Sequence, residues 1–165
     1  MNKLRKQLLK AAKQKGLCDT GKDIIRHAPD LETMMQQYHD HIGWHIVHDN
    51  PPKEILREHF AGFSNNWVAI DTKATFVDEE KVFLALAANG EVQYGNNKRG
   101  RVYMRQDAAL NLNAGQGAFV TVSAYDNATV RVRPAETARV YVFLHDNARM
   151  VDTPDFPKQI IIKKA

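Results

Sequence analysis

The C-terminal part of the chain repeats every ten residues, and this period constrains the fold more than any other feature. When residues 108–150 are written in rows of ten, apolar side chains recur at the first, third and fifth positions. These columns hold Ala108, Ala118, Ala128, Ala138 and Ala148; Leu110, Val120, Val130, Val140 and Met150; and Leu112, Val122, Val132 and Val142. Alternating apolar and polar residues are typical of a half-buried β-strand. The period therefore predicts an all-β repeat region.

Two β architectures fit a ten-residue step. The first is a short β-solenoid with two strands and about twenty residues per coil, and the second is an antiparallel β-meander. The corner residues Asp126, Asn127 and Ala128 recur twenty positions later as Asp146, Asn147 and Ala148. Stacked coils would place these like corners on each other, whereas a meander gives no reason for the match. The pattern favours the solenoid, with the meander as the alternative.

The rest of the chain predicts an α+β protein, with a helical region over residues 1–64 and the β repeat region over residues 65–165. Three or four short helices are expected before residue 62. One spans residues 2–15, the next is capped by Asp30, and another starts after Pro51 and Pro52. Two further strands are expected at 81–87 and 91–95. The segment 153–157 should end the repeat, and either a final strand at 159–163 or the N-terminal helices should cover an edge.

Residues 126–130 and 146–150 carry a repeated Asp-Asn-Ala-x-Val/Met motif. Over residues 100–150 the chain resembles uncharacterised bacterial proteins with repeated D/G-N-A-x-V segments, which occur in gut bacteria and their mobile elements. The resemblance implies a β-helical architecture and no assigned activity. It also suggests a phage or mobile-element accessory protein that binds and modulates a host protein.

On a solenoid, the odd positions of the strands face solvent, and residues twenty apart lie side by side. One sheet then presents arginines interleaved with aromatic rings, the residue types enriched at protein interfaces. The predicted partner-binding residues are Arg99, Arg101, Tyr103, Phe119, Arg139, Tyr141 and Phe143. A non-enzymatic protein-interaction factor is the function that this face favours. Coverage of the same face by the N-terminal helices is left open.

Arginine also binds phosphate, and aromatic rings stack on bases. The alternative function is therefore a nucleic-acid-binding module. It would add Arg105, Arg131, Arg133 and Arg149, together with the basic first helix, in which six of the first fifteen residues are Lys or Arg. That helix is equally explained as a solvated face on a helix packed through its leucines.

Four histidines fall within ten residues: His39, His41, His45 and His48. Imidazole suits zinc or a similar metal, and His41 and His45 are spaced to share a helical face. Gly43 lies between them, and no H-E-x-x-H pattern supplies a general base. A metal-dependent hydrolase at this cluster is a distant alternative. Nothing else in the sequence points to a nucleophile or a cofactor, so the chain is predicted to be no enzyme and to need no cofactor.

The charge, the cysteine count and the distribution of apolar residues indicate the cellular compartment and the class of partner. The net charge of +4 is mild and does not by itself imply nucleic acid. A single cysteine, Cys18, forms no intrachain disulfide, which suits a reducing compartment. The basic N-terminus lacks the apolar core of a secretory signal, and no run approaches the length of a membrane span. The sequence predicts a cytoplasmic protein without a membrane partner, either a monomer or a closed dimer.

Overall fold

The computed structural model describes residues 2–151 and 157–164. The chain divides into two compact units, Met1–Phe60 and Ala61–Ala165. Most of the segment predicted to end the repeat, residues 153–156, lies outside the described residues.

The first unit is helical. Its five helices are α1 Asn2–Gln14, α2 Asp19–His27, α3 Leu31–Asp40, α4 Ile42–Val47 and α5 Lys53–Phe60. Asp30 caps α3 by accepting a hydrogen bond of 2.7 Å from the backbone N–H of Thr33, as predicted. Helices α2 and α4 bring the number of helices above the predicted three or four.

Helix α1 ends where its sequence requires. Gly16 adopts a φ of +76°, its N–H donates to Lys13 O, and the next N–H, from Leu17, donates to Ala12 O. This bonding pattern is the Schellman motif, which favours glycine at the left-handed position. Leu4, Leu8 and Ala12 lie buried on the inner face of α1. On its outer side, Lys3 Nζ forms an exposed ion pair of 2.6 Å with Glu58 Oε1 on α5.

The second unit is a parallel β-solenoid of about four turns. Its strands in the described residues are β1 Val68–Ile70, β2 Lys73–Val77, β3 Lys81–Ala85, β4 Asn89–Tyr94, β5 Arg99–Met104, β6 Ala109–Ala114, β7 Phe119–Ala124, β8 Thr129–Pro134, β9 Arg139–Leu144, β10 Arg149–Met150 and β11 Ile160–Lys164. Successive strands alternate between two sheets. Sheet A has the order β1-β3-β5-β7-β9-β11, and sheet B has the order β10-β8-β6-β4-β2.

The strand pairing confirms the predicted solenoid and shows that the alternative prediction, an antiparallel meander, is wrong. Every pair of neighbouring strands in these two sheets is parallel, and over the regular coils the partners are twenty residues apart, as in Val120 with Val140. A meander would have paired consecutive strands in antiparallel fashion. Strands β1 and β2 show that the solenoid begins before the first strand predicted from the sequence, at 81–87. The predicted final strand is present as β11, which pairs with β9.

From β2 to β9, the solenoid core consists of the even-numbered strand residues and the corner alanines. Val122, Val142 and Leu112 are at most 1% exposed, and Ala108 and Ala128 are fully buried. The even parity of the ten-residue step keeps every such position inside, as the sequence predicts. Alanine suits the corners because the chain turns there tightly around a narrow interior.

One ring in this core depends on a glycine in the next strand of the chain. Tyr94 is 3% exposed and donates a hydrogen bond of 2.8 Å to the backbone oxygen of Glu79. A Cβ added at Gly100 would lie 2.0 Å from the Tyr94 Cζ atom. Gly100 therefore leaves the space that the Tyr94 ring fills.

Side-chain hydrogen bonds link the coils along one row of corners. At these corners Gln106, Asp126 and Asp146 all have positive φ, between 56° and 60°. The side chain of each accepts a hydrogen bond from the backbone N–H of the residue twenty positions earlier: Leu86 to Gln106 at 3.0 Å, Gln106 to Asp126 at 2.8 Å, and Asp126 to Asp146 at 3.3 Å. We call this series the corner ladder. It satisfies N–H groups that the strands leave unpaired.

Candidate protein-interaction face

The outward side of sheet A brings together all seven residues predicted to bind a partner. Strand pairing places Phe119 between Arg99 and Arg139, and it places Thr121 between Arg101 and Tyr141. The third column runs Tyr103, Ser123 and Phe143. These are the columns that the twenty-residue spacing predicts. We call this surface the sheet A face.

The sheet A face extends beyond the residues that the sequence singled out. Lys81 pairs with Arg101 in register, and Lys163 pairs with Phe143. The Lys163 Nζ atom lies 5.8 Å from the centroid of the Phe143 ring, which is cation–π geometry. Both lysines could have been found by subtracting or adding twenty to a predicted residue, but their strands lie outside the clear repeat.

Aromatic and cationic groups of this face are accessible. Phe119 is 41% exposed, and its ring centroid lies 5.4 Å from that of Tyr141. Arg99, Arg101 and Arg139 are exposed, whereas Tyr103 and Phe143 are half-buried in the face. Phe119 is thus an exposed apolar side chain at the centre of the face, with an arginine on the strand at each side.

Negative charge is scarce on this surface. The outward positions of strands β3, β5, β7, β9 and β11 carry no Asp or Glu among the described residues. Glu80, at a corner, borders a shallow depression of about 340 Å³ whose other walls include Arg99, Arg101 and Phe119. The local field is therefore positive, and an acidic surface would be attracted to it.

The outward side of sheet B is different in character. Arg131 and Arg133 lie beside Asn111 and Asn113, and Arg149 lies beside Thr129, as the twenty-residue spacing predicts. The guanidinium of Arg131 donates to Asn111 Oδ1 at 3.4 Å. Because the two sheets enclose one core, the arginines of sheet B point away from those of sheet A. The predicted nucleic-acid residues therefore do not extend the sheet A face.

Arg105 lies elsewhere than the nucleic-acid hypothesis requires. It is only 5% exposed, at a corner, and its Nε atom lies 4.0 Å from Asp126 Oδ2 in the next coil. Burial beside a carboxylate gives it a structural role and removes it from any phosphate-binding surface. Parity could not reveal this, because residue 105 follows a strand and is not part of one.

The same row of corners carries a stacked ring pair. Tyr125 and His145 stack with centroids 4.1 Å apart and planes 3° from parallel. Burial raises the pKa of Tyr125, and the nearby Tyr103 and Asp146 act in the same direction. Negative charge is therefore disfavoured at the Tyr125 phenol.

Two of the four clustered histidines, His45 and His48, stack on different aromatic rings in the helical unit. His45 is buried, its Nδ1 atom lies 2.9 Å from Asn50 Nδ2, and its ring stacks on Tyr38. His48 stacks on Trp44 and contacts its backbone oxygen through Nδ1 at 2.8 Å. Within the described part of the chain, no three His, Cys, Asp or Glu residues are grouped so that they could hold a metal ion. The predicted metal ligands therefore do not form a common site.

Comparison with known proteins adds no assignment. No protein-family model, no curated protein and no solved structure matches the chain. Of the helices in residues 2–151 and 157–164, none is both long enough and apolar enough to cross a membrane.

Proposed function

We propose that this chain is a non-enzymatic protein-interaction factor that binds an acidic partner through the sheet A face. The observation that carries the proposal is the exposed Phe119, which has Arg99 and Arg139 on the neighbouring strands and no acid at any outward strand position of the sheet. Aromatic and arginine side chains supply most of the binding energy at protein interfaces.

The spacing of the face suits a protein surface. Neighbouring strands are about 4.8 Å apart, so Arg99 and Arg139 lie roughly 10 Å from each other across Phe119. An apolar side chain of the partner could pack on Phe119 and Tyr141 while carboxylates on either side meet the two guanidinium groups. Arginine is suited to such contacts because its planar group pairs with a carboxylate through two hydrogen bonds.

Rigidity supports the same proposal. Strands β5, β7 and β9 are each hydrogen-bonded on both sides, and their inward side chains are buried. The face is therefore ordered before a partner arrives, so binding costs little conformational entropy. A flexible loop surface with the same residues would lose more freedom on binding.

The test is a pull-down from nuclease-treated lysate with three forms of the full chain. The first is the wild type, and the second is the double variant Phe119→Ala with Tyr141→Ala. The matched control, Asn111→Ala with Asn113→Ala, changes two outward positions of sheet B. A protein partner should be retained by the wild type and the control. It should be lost by the sheet A variant, since each anchor is worth about 2 kcal/mol, or roughly thirtyfold in affinity.

Stability must be measured on the same variants. Phe119 and Tyr141 are at least partly exposed, so the double variant should melt close to the wild type. A sheet A variant that stays folded and still retains the partner would remove this face from the proposal. Equal loss of the partner by the sheet A variant and by the sheet B control would also remove this face from the proposal.

The alternative remains a nucleic-acid-binding module that uses outward arginines, among them Arg131, Arg133 and Arg149 on sheet B, together with the basic first helix and without the buried Arg105. It predicts retention of nucleic acid that falls steeply with salt and with Arg131→Glu plus Arg133→Glu. A phage or mobile-element origin, with a host protein as partner, remains a prediction that rests on the resemblance of the repeat.

A further inference from the structure

The helical unit contains an apolar cavity that the proposed function does not use. Its volume is about 170 Å³. The walls come from helices α1 to α4, the segment before α5 and the end of α5, and they include Leu8, Ile25, Met34, Trp44 and Phe60. Asp, Glu, Lys and Arg are missing from the described residues that line it. A cationic ligand would therefore lose its hydration without gaining a counter-charge.

One buried polar atom in this wall, on Asn50, lacks a hydrogen-bond partner among the described residues. Asn50 is 2% exposed, its backbone N–H donates to His45 O at 2.9 Å, and its Nδ2 atom lies 2.9 Å from His45 Nδ1. In the tautomer that leaves His45 Nδ1 unprotonated, Nδ2 donates to it, and the remaining side-chain atom of Asn50 is the acceptor Oδ1. That oxygen is buried without a hydrogen-bond partner among the described residues. Such a group is costly to leave unpaired in an apolar surrounding.

We propose that this cavity binds a small neutral aromatic molecule that donates one N–H or O–H hydrogen bond to Asn50 Oδ1. An apolar cavity of about 150 Å³ in another protein holds benzene, so one or two fused rings match this volume. Three aromatic residues, Tyr38, Trp44 and Phe60, and two methionines, Met34 and Met35, line the space. Ring and thioether contacts favour an aromatic ligand over an aliphatic one.

The probes that test the proposal are indole and indene. They have the same shape, but only indole carries an N–H donor. The chain has two tryptophans, Trp44 in the cavity wall and Trp67 in the solenoid unit, so one NMR titration contains its own control. Indole should shift the Trp44 Nε1–H resonance saturably and leave that of Trp67 in place. It should bind about fivefold tighter than indene, which is the worth of one net hydrogen bond.

Two variants separate the acceptor from the cavity. Asn50→Leu should make the affinities for indole and indene equal within about twofold. Ile25→Phe should fill the cavity and abolish the binding of both probes, whereas Ile55→Phe, at a buried position outside the cavity wall, should retain them. If Asn50→Leu does not fold, the affinities of the wild type for indole and indene still test whether the ligand donates a hydrogen bond in the cavity. Equal affinities there, or no saturable shift up to the solubility limit, would overturn the proposal.

Discussion

Replacing Gly100 with alanine should destabilise the solenoid far more than a single methyl group suggests. The added Cβ would lie 2.0 Å from Tyr94 Cζ and 2.1 Å from its hydroxyl oxygen, closer than any van der Waals contact allows. The ring must then leave its place. It would give up burial worth about 3–5 kcal/mol for an aromatic side chain. It would also lose the bond to Glu79 O, worth about 1 kcal/mol.

Part of this loss is recovered when the ring rotates into a poorer position, so we expect Gly100→Ala to lower the free energy of unfolding by about 3–5 kcal/mol in total. In a Tyr94→Leu background the same change should cost less than about 1 kcal/mol, because the shorter side chain leaves room for the methyl group. Gly95→Ala is the matched control. Its added Cβ would meet Asp78 at 3.5 Å, an ordinary contact, and should change stability by less than about 0.5 kcal/mol.

The assay is urea unfolding followed by fluorescence, in a Trp44→Phe background that leaves Trp67 as the one indole in the full chain. Trp67 lies in the solenoid unit, so its signal reports that unit's transition. A cost below about 1 kcal/mol for Gly100→Ala would refute the reasoning. Additivity would also refute it. Residues in steric contact should couple, so the changes in unfolding free energy caused by Gly100→Ala and Tyr94→Leu should not add to that of the double variant within about 0.5 kcal/mol.

Three further results are expected. Asp126→Ala should destabilise the solenoid by about 2 kcal/mol in thermal unfolding, since it removes the acceptor for the Gln106 N–H and leaves alanine at positive φ; Asp126→Asn should cost less than half as much. Burial raises the pKa of Tyr94 well above its usual value, with smaller contributions from Glu79 and Asp78. The folded state thus favours the neutral phenol of Tyr94, and its contribution to the free energy of unfolding should be lost as the pH rises above about 10. Tyr94→Phe should reduce this dependence on pH in unfolding curves measured under alkaline conditions. Light scattering should show a monomer or a closed dimer, and open-ended growth with concentration would contradict this.

The sequence predicts most of the solenoid because its period is even and its corners recur. Each inward position keeps its parity from row to row, so Val120, Val122 and their counterparts could be placed in the core without coordinates. The columns of the sheet A face follow from the same arithmetic. Strands β1 and β2 escaped notice because they do not follow the twenty-residue spacing and because Phe76 replaces the usual small aliphatic residue in β2.

Other features depend on contacts that no local pattern reveals. Helix α2 begins at a Cys18 cap, in which the thiol accepts from the Gly21 N–H at 3.4 Å, and cysteine is not a preferred cap. The burial of Arg105 depends on Asp126 in the next coil. The apolar cavity depends on how five short helices pack, which periodicity within one helix does not determine.

The rungs of the corner ladder recur once in each coil, so the solenoid can change its length by whole coils. Each rung joins residues twenty apart, and the strand pairs use the same interval. An insertion or deletion of one whole coil would leave the remaining rungs and columns in register, whereas an odd number of residues inserted in a strand would move core residues to the surface. The protein can therefore gain or lose interaction surface in steps of one strand width, about 4.8 Å, without a new fold.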